Sequence, residues 1–319
     1  MLNAHFNWRR ALKISTLLGL AVSGGAAFAA SDWTVGKFSD AKVNGGCATI
    51  PGNTSINSGY GNSVSCQTGT VGGNSSINFS IKAWSTTGLP SSTTVNSKTG
   101  TDFETANLAW YSGGFGVRNR SNYGSGSGTS RYKDWNSSDG NHSMDNSGQT
   151  DLIMLSFSSP IVLESVLLGW GRSDSDISVM RYVGSSSSPS PLNLTASGLT
   201  SVAGGWELVG HYLGTANSGG GNLAGSNALR LTGAANNVAS PDSSSSWLIS
   251  AYNASYGVSG KYGAQTGFDT VGADMVKVLG IAGSAPVTNK TPEPGSLALI
   301  GLAFAGMLAI RKRGTAAPV

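Results

Sequence analysis

The feature that most restricts the fold of this chain is a series of short β-branched and aromatic runs, each closed by serine, glycine, asparagine or proline. The two plainest are Leu152 to Phe157, stopped by Ser158-Ser159-Pro160, and Ile161 to Trp170, whose polar side chains are Glu164 and Ser165. Ile177 to Val183, Trp206 to Leu213, Trp247 to Tyr252 and Val276 to Ile281 continue the series, with Ser185 to Pro191, Gly219 to Gly221 and Ser240 to Ser246 as the loops between them. Runs of this length and composition read as strands. From 31 to about 150, turn signals such as Asn44-Gly45, Ser58-Gly59, Gly72-Gly73-Asn74 and Gly124 to Gly128 divide shorter apolar runs. Helical periodicity is nearly absent, and Glu104 to Trp110 is too short to carry a helix. The pattern predicts an all-β body, an antiparallel β-sandwich or jelly roll. A β-helix is the alternative, but no fixed repeat period supports it.

The two ends of the chain follow a different logic. Arg9, Arg10 and Lys13 precede the apolar stretch Ile14 to Phe28, which closes on Ala-Phe-Ala-Ala before Ser31. This order of charged, apolar and small residues predicts a secretory signal peptide over 1–30, cut after Ala29 or Ala30. At the other end stand Pro292-Glu293-Pro294, a 16-residue apolar run from Gly295 to Ile310, and Arg311-Lys312-Arg313. As a helix that run is about 24 Å long, short of the roughly 20 residues that cross a bilayer core comfortably. It has no polar face, as a buried amphipathic helix would. A transmembrane helix with snorkelling arginines is expected, and the basic flank keeps that end cytoplasmic while the body, 31–290, is exported.

Pro292, Glu293, Pro294, the apolar segment and Arg311, Lys312, Arg313 together resemble the C-terminal signal of PEP-CTERM proteins of Gram-negative bacteria. The resemblance implies processing near Pro292 to Pro294 by an exosortase, a membrane-embedded cysteine transpeptidase-like enzyme, and delivery to the cell surface or extracellular matrix, commonly beside exopolysaccharide. A second resemblance lies in the body. His142-Ser-Met-Asp-Asn146, Leu-Ser-Phe-x-x-Pro at 155–160, Leu-Gly-Trp at 168–170, Asp-Ser-Asp-Ile-Ser-Val at 174–179, Trp-Leu-Ile-Ser-Ala-Tyr-Asn at 247–253 and Val-Lys-Val-Leu-Gly-Ile-Ala-Gly at 276–283 are similar to a family of exosortase-dependent surface proteins. That likeness spans roughly 140 to 283, implies location and β architecture, and assigns no reaction; a subdivision of the body near 140–150 is compatible with it.

Charge must be read after trimming. The formal +4 comes from 20 basic and 16 acidic side chains, but three basic residues lie in the signal peptide and three in the tail, while Glu293 alone among the acids lies outside 31–290. The exported body therefore carries 14 basic and 15 acidic residues, near −1, and no Lys/Arg stripe argues for nucleic acid. Cys47 and Cys66, the chain's 2 cysteines, are both exported. In an oxidising compartment they are expected to form a disulfide rather than a metal site, since two cysteines with no histidine nearby cannot complete four ligands.

Candidate chemistry is sparse. His142 with Asp145 and Asn146 could supply a general base, against the simpler reading of an Asx turn leading into the strand at 152. Asp174 and Asp176 flank Ser175, so in an extended segment both carboxylates face one side. With Asp145, Asn146 or backbone carbonyls they could hold Ca²⁺, although the spacing departs from an EF-hand and a hydrogen-bonded turn is the simpler reading. No Gly-x-Ser-x-Gly elbow supports a serine hydrolase, and His211 reads as a strand residue. Gly219-x-Gly221-x-x-Ala224 fits a dinucleotide pattern without its strand and helix context. Trp84, Trp110, Trp135 and Trp206 could form a sugar-stacking platform, with Trp135 the most exposed by its polar surroundings; Trp170 and Trp247 read as core. No catalytic set and no cofactor is assigned.

The sequence thus predicts a non-enzymatic surface or matrix protein that uses the Sec translocon, passes through a transient inner-membrane intermediate and meets an exosortase-type enzyme. A carbohydrate-binding module retained by exopolysaccharide is the alternative, and a secreted hydrolase stands third.

Overall fold

The structure, a computed structural model, describes residues 33–35, 38, 45–47, 63–70, 76–86, 94–95, 98–99, 102–111, 113–118, 143–146, 149–215, 217–223, 228–231, 243–258, 260, 268 and 274–286. Residues 1–30, expected to be a signal peptide, the C-terminal hydrophobic segment, His142 and Trp135 lie outside the described residues. In chain order the strands are β1 (Trp33–Val35), β2 (Gly45–Cys47), β3 (Ser63–Thr70), β4 (Ser76–Thr86), β5 (Thr94–Val95), β6 (Lys98–Thr99), β7 (Phe103–Thr105), β8 (Asn107–Tyr111) and β9 (Gly114–Arg118). They continue with β10 (Met144–Asp145), β11 (Asp151–Ser173), β12 (Ile177–Tyr182), β13 (Trp206–Tyr212), β14 (Asn217–Asn222), β15 (Ala228–Arg230), β16 (Ser244–Ala251) and β17 (Met275–Ser284). Among the described residues the helical pieces are a single turn, α1 (Ala196–Leu199), capped by the Thr195 hydroxyl, and a 3₁₀ turn at Ala254–Tyr256. Among the described residues no helix is long and apolar enough to cross a membrane.

The body is all-β and antiparallel, organised by one long strand. Sequence reading places a break at Ser158-Ser159-Pro160, yet β11 runs unbroken through it for 23 residues. Its first half pairs with β16 on one side and β4 on the other, in the sheet ordered β13-β12-β16-β11-β4-β3-β2. Its second half pairs with β17 on one side and with β14 and β15 on the other, and β17 carries β1, β9 and β10 on its far edge. Between the halves the register with β16 shifts, from Ser156 opposite Ser246 to Ile161 opposite Ser244. Ser158, Ser159 and Pro160 are exposed there. Proline has no N–H for a ladder, so it is tolerated where a strand leaves one sheet for the next. What reads as a loop is the corner at which β11 passes from the first sheet into the second.

The two sheets close on one apolar core. Ile153, Leu155, Phe157, Val179 and Ile249 of the first sheet pack in the same cluster as Val166, Leu168, Val276, Val278 and Ile281 of the second. Phe38 bridges them, its ring 6.4 Å from Phe79 and 5.3 Å from Phe115. The outer face of the first sheet has a second apolar layer, in which Leu152, Met154, Met180, Leu248 and Tyr256 pack with Leu199 of α1. Strand residues 152–155 are therefore buried on both faces, which accounts for their continuous apolar run where a half-exposed strand would alternate. Trp84 and Trp206 belong to this covered layer rather than to an open platform, and Trp110 packs against the main core. Cys47 and Cys66 stand opposite each other on β2 and β3 and form the expected disulfide.

Candidate functional site

Five connections converge at one end of the sandwich, and their polar groups form a single knot. The β11–β12 turn brings Asp174 and Asp176; Asn146 follows β10, Gly214 follows β13, Tyr252 follows β16 and Asp274 precedes β17. One carboxylate oxygen from each of Asp174, Asp176 and Asp274 lies within 4.8 Å of the others. Asp176 and Asp274 are 1% and 3% exposed, and Asp174 is half-buried.

Each partner is supplied by a different loop. The Asp274 Oδ1 accepts from the Asp176 backbone N–H (3.0 Å), and its Oδ2 accepts from Asn146 Nδ2 (2.8 Å). Asn146 returns the contact by accepting from the Asp274 N–H at 2.8 Å and donates also to the Tyr252 carbonyl at 2.8 Å. The Gly214 N–H donates to Asp176 Oδ1 (2.7 Å). Between the two turn aspartates Ser175 takes φ 60°, and the space it fills is left by glycines. A Cβ at Gly171 would lie 2.1 Å from Ser175 Oγ, and one at Gly214 2.0 Å from the Ser175 carbonyl oxygen.

Three carboxyls this close, with little solvent, do not all ionise. Burial, then the hydrogen bond and charge of Asp174, then the charge of Asp176, push the Asp274 carboxyl up to about 9, against the pull of the Asp176 N–H. At neutral pH a proton is therefore held between the hydrogen-bonded Asp274 and Asp174 side chains. The Tyr252 phenol beside the knot is also raised, by burial and then by Asp274 and Asp176. Its ring stacks on Phe268 at 4.9 Å and meets the edge of His211 at 4.8 Å. The donor set is oxygen-only, the chemistry of a hard cation such as Ca²⁺.

The knot gathers some of the residues singled out from sequence and leaves others aside. Asn146, Asp174 and Asp176 come together. Asp145 does not join them: it lies on β10 opposite Met275, and its N–H donates to Asp151 Oδ2 at 3.4 Å. Asp274 and Gly214 complete the knot and were not legible, since neither sits in a motif and Asp274 is 128 residues from its partner Asn146.

His211 makes a second buried polar contact, with Ser178. His211 Nδ1 is 2.8 Å from Ser178 Oγ, and Nε2 is 2.8 Å from the Gly257 carbonyl. Burial holds the imidazole below its usual pKa. The neutral ring then donates from Nε2 to Gly257 and accepts at Nδ1 from the Ser178 hydroxyl, which itself accepts from the Asn253 N–H at 3.2 Å. Ser178 is fully buried. This pair has the composition of a nucleophile and base, but the hydroxyl is enclosed and points its proton into the structure. Gly219 and Gly221, which match a phosphate-loop spacing, lie in strand β14 against β11.

No curated protein matches this chain. No solved structure matches it either. A family model does match at the C-terminus, over the segment that lies beyond the described residues. Residues 290–313 match the PEP-CTERM protein-sorting motif, which marks the chain as an exported, extracellular protein processed by an exosortase-type membrane enzyme.

Proposed function

We propose that this protein is a non-enzymatic structural component of the cell surface or exopolysaccharide matrix of a Gram-negative bacterium. It enters the Sec translocon through residues 1–30, is held briefly in the inner membrane by the segment after Pro294, and is released from it by cleavage near Pro292 to Pro294. The single observation that carries the reading is the sorting motif at 290–313, joined to an all-β, disulfide-linked body. The acidic knot is in this reading a structural tie, since Asp174, Asp176 and Asp274 engage loops and one another. The hydrolase reading loses its best serine, because Ser178 is buried and committed to His211 and Asn253.

Fractionation of cells with and without the sorting enzyme tests the proposal. The full-length product should collect in the envelope when the enzyme is missing and in the matrix when it is present. An unchanged distribution would remove the sorting step from the account.

A further inference from the structure

One edge of the first sheet is closed by a short strap. Among the described residues β13 pairs with a single strand, β12, so its other side is an edge of the sheet. The chain that leaves β16 returns to this edge. Asn253 caps the 3₁₀ turn, its Oδ1 accepting from the Ser255 N–H at 2.9 Å, and Tyr256 pins that turn with its hydroxyl 3.0 Å from Ser250 Oγ. Gly257 then takes φ 127°, and Gly260 lies against β13: a Cβ there would stand 2.5 Å from the Val209 carbonyl oxygen and 2.6 Å from Gly210 Cα. Packing holds this last piece weakly. Val258 is 85% exposed, and a Cβ on Gly257 would meet only Leu208 Cδ2, at 3.7 Å. The tie comes from His211 of β13, whose Nε2 lies 2.8 Å from the Gly257 carbonyl oxygen.

We infer that Gly257, Val258 and Gly260 form an acid-released strap, latched by neutral His211 and opened when that ring takes up a second proton. Release uncovers the outer edge of β13, a row of backbone groups with which another strand can pair. The sensitivity to acid lies at the other ring nitrogen. Nδ1 is 2.8 Å from Ser178 Oγ, and that oxygen already accepts from the Asn253 N–H at 3.2 Å. While the ring is neutral, Nε2 donates to Gly257 and Nδ1 accepts from the Ser178 hydroxyl. A proton on Nδ1 sets donor against donor at Ser178, which is fully buried, and a buried donor without an acceptor is destabilising. Tyr252 and Phe268 close the sides of the ring, at 4.8 and 5.5 Å between centroids. No carboxylate offsets the new charge. Asp176 and Asp274 act on Tyr252, not on His211; Glu207 and Arg181, the other charged side chains of β13 and β12, pair with each other at 2.6 Å. Residues 252–260 carry no charge, and Asp269, next to Phe268, lies outside the described residues. The bond to Gly257 favours a charged ring, but burial outweighs it and holds the imidazole below its ordinary 6.5. Opening lets water reach the ring and restores that value. The closed strap is therefore fully favoured above pH 6.5, and its ratio to the open form falls about tenfold per pH unit below it, until the folded value is reached.

Amide hydrogen exchange of the full, oxidised chain at pH 5.5 and pH 7.5, corrected for the intrinsic pH dependence of exchange, tests this. Amides over 253–258 and the outward amides of β13 should exchange about tenfold faster at pH 5.5, while β11 and β17 keep their protection. In H211Q, whose side-chain amide can donate to Gly257 but does not titrate, the two pH values should give the same protection. No acceleration in the wild type, or equal acceleration of every strand, overturns the strap. Acceleration that persists in H211Q, as titration of the acidic knot would produce, overturns it as well. Should H211Q fail to fold, the ¹⁵N signals of the His211 ring in the wild type decide: opening and ring protonation share one midpoint if His211 is the latch, and separate midpoints overturn it.

Discussion

Replacing Asp274 by alanine removes the centre of the acidic knot, and its cost can be worked from the contacts. The Asp176 N–H loses its acceptor at 3.0 Å in a site where Asp176 is 1% exposed, so a buried donor is left unpaired at about 1–3 kcal/mol. Asn146 Nδ2 loses one of two acceptors but keeps the Tyr252 carbonyl, a loss of about 1 kcal/mol. Asp274→Ala should therefore destabilise the protein by about 2–4 kcal/mol at pH 5. The folded carboxyl titrates at about 9, above its unfolded value of 3.8. Folding thus takes up a proton between those values, and the stability due to Asp274 is full below about pH 4 and is lost as pH rises through about 9. The gap between wild type and Asp274→Ala should narrow with rising pH, by no more than about 1.4 kcal/mol per pH unit. Asp274→Asn keeps an acceptor for Asp176 and a donor toward Asp174, although its amide nitrogen opposes Asn146 Nδ2. It should fall between the two and lack the wild-type slope. Urea denaturation followed by tryptophan fluorescence, with the disulfide intact, measures all three from pH 5 to pH 8. An Asp274→Ala cost under about 1 kcal/mol at pH 5, or a gap that does not change with pH, would refute the account of a shared proton.

Other outcomes follow from the same contacts. Cys47→Ala/Cys66→Ala opens a link between residues 19 apart and should lower stability by about 3 kcal/mol, read from the urea midpoint of oxidised and variant protein. Gly214→Ala places a Cβ 2.0 Å from the Ser175 carbonyl oxygen and should lower the melting temperature sharply, whereas Gly219→Ala, with no atom within 4 Å, should leave it unchanged. Calorimetry at pH 6 with millimolar Ca²⁺ should record no saturable heat, because the Asp274 proton already answers part of the knot's charge. Tight binding there would mean that Asp174, Asp176 and Asp274 are all ionised.

The strands were legible because their apolar residues are β-branched and aromatic and their boundaries carry turn residues. Pro160 misleads at the scale of a few residues: it breaks the ladder with β16, but β11 continues into another sheet. Trp170 reads as core and is buried, at 7% exposure, but the register shift between Leu168 and Trp170 places it beside Lys277 rather than in the main apolar cluster. A bulge of one residue reverses every side chain after it, and composition gives no sign of that. Trp84 and Trp206 are hidden beneath a second apolar layer that includes α1, whose four residues leave no periodicity to read. Of the knot, the Asp174-Ser175-Asp176 turn was visible through its spacing. Asp145 and Asn146 are neighbours in sequence, but the chain carries Asp145 along β10 and turns Asn146 into the knot. Asp274 could be found only once β17 was placed beside β11.

The most direct test of the account is the intact mass of the protein recovered from the extracellular matrix. The account predicts a chain that begins near Ser31, ends near Pro292 to Pro294 and is 2 Da lighter than its reduced form because Cys47 and Cys66 are joined. A mass that still includes the segment through Val319 would contradict it.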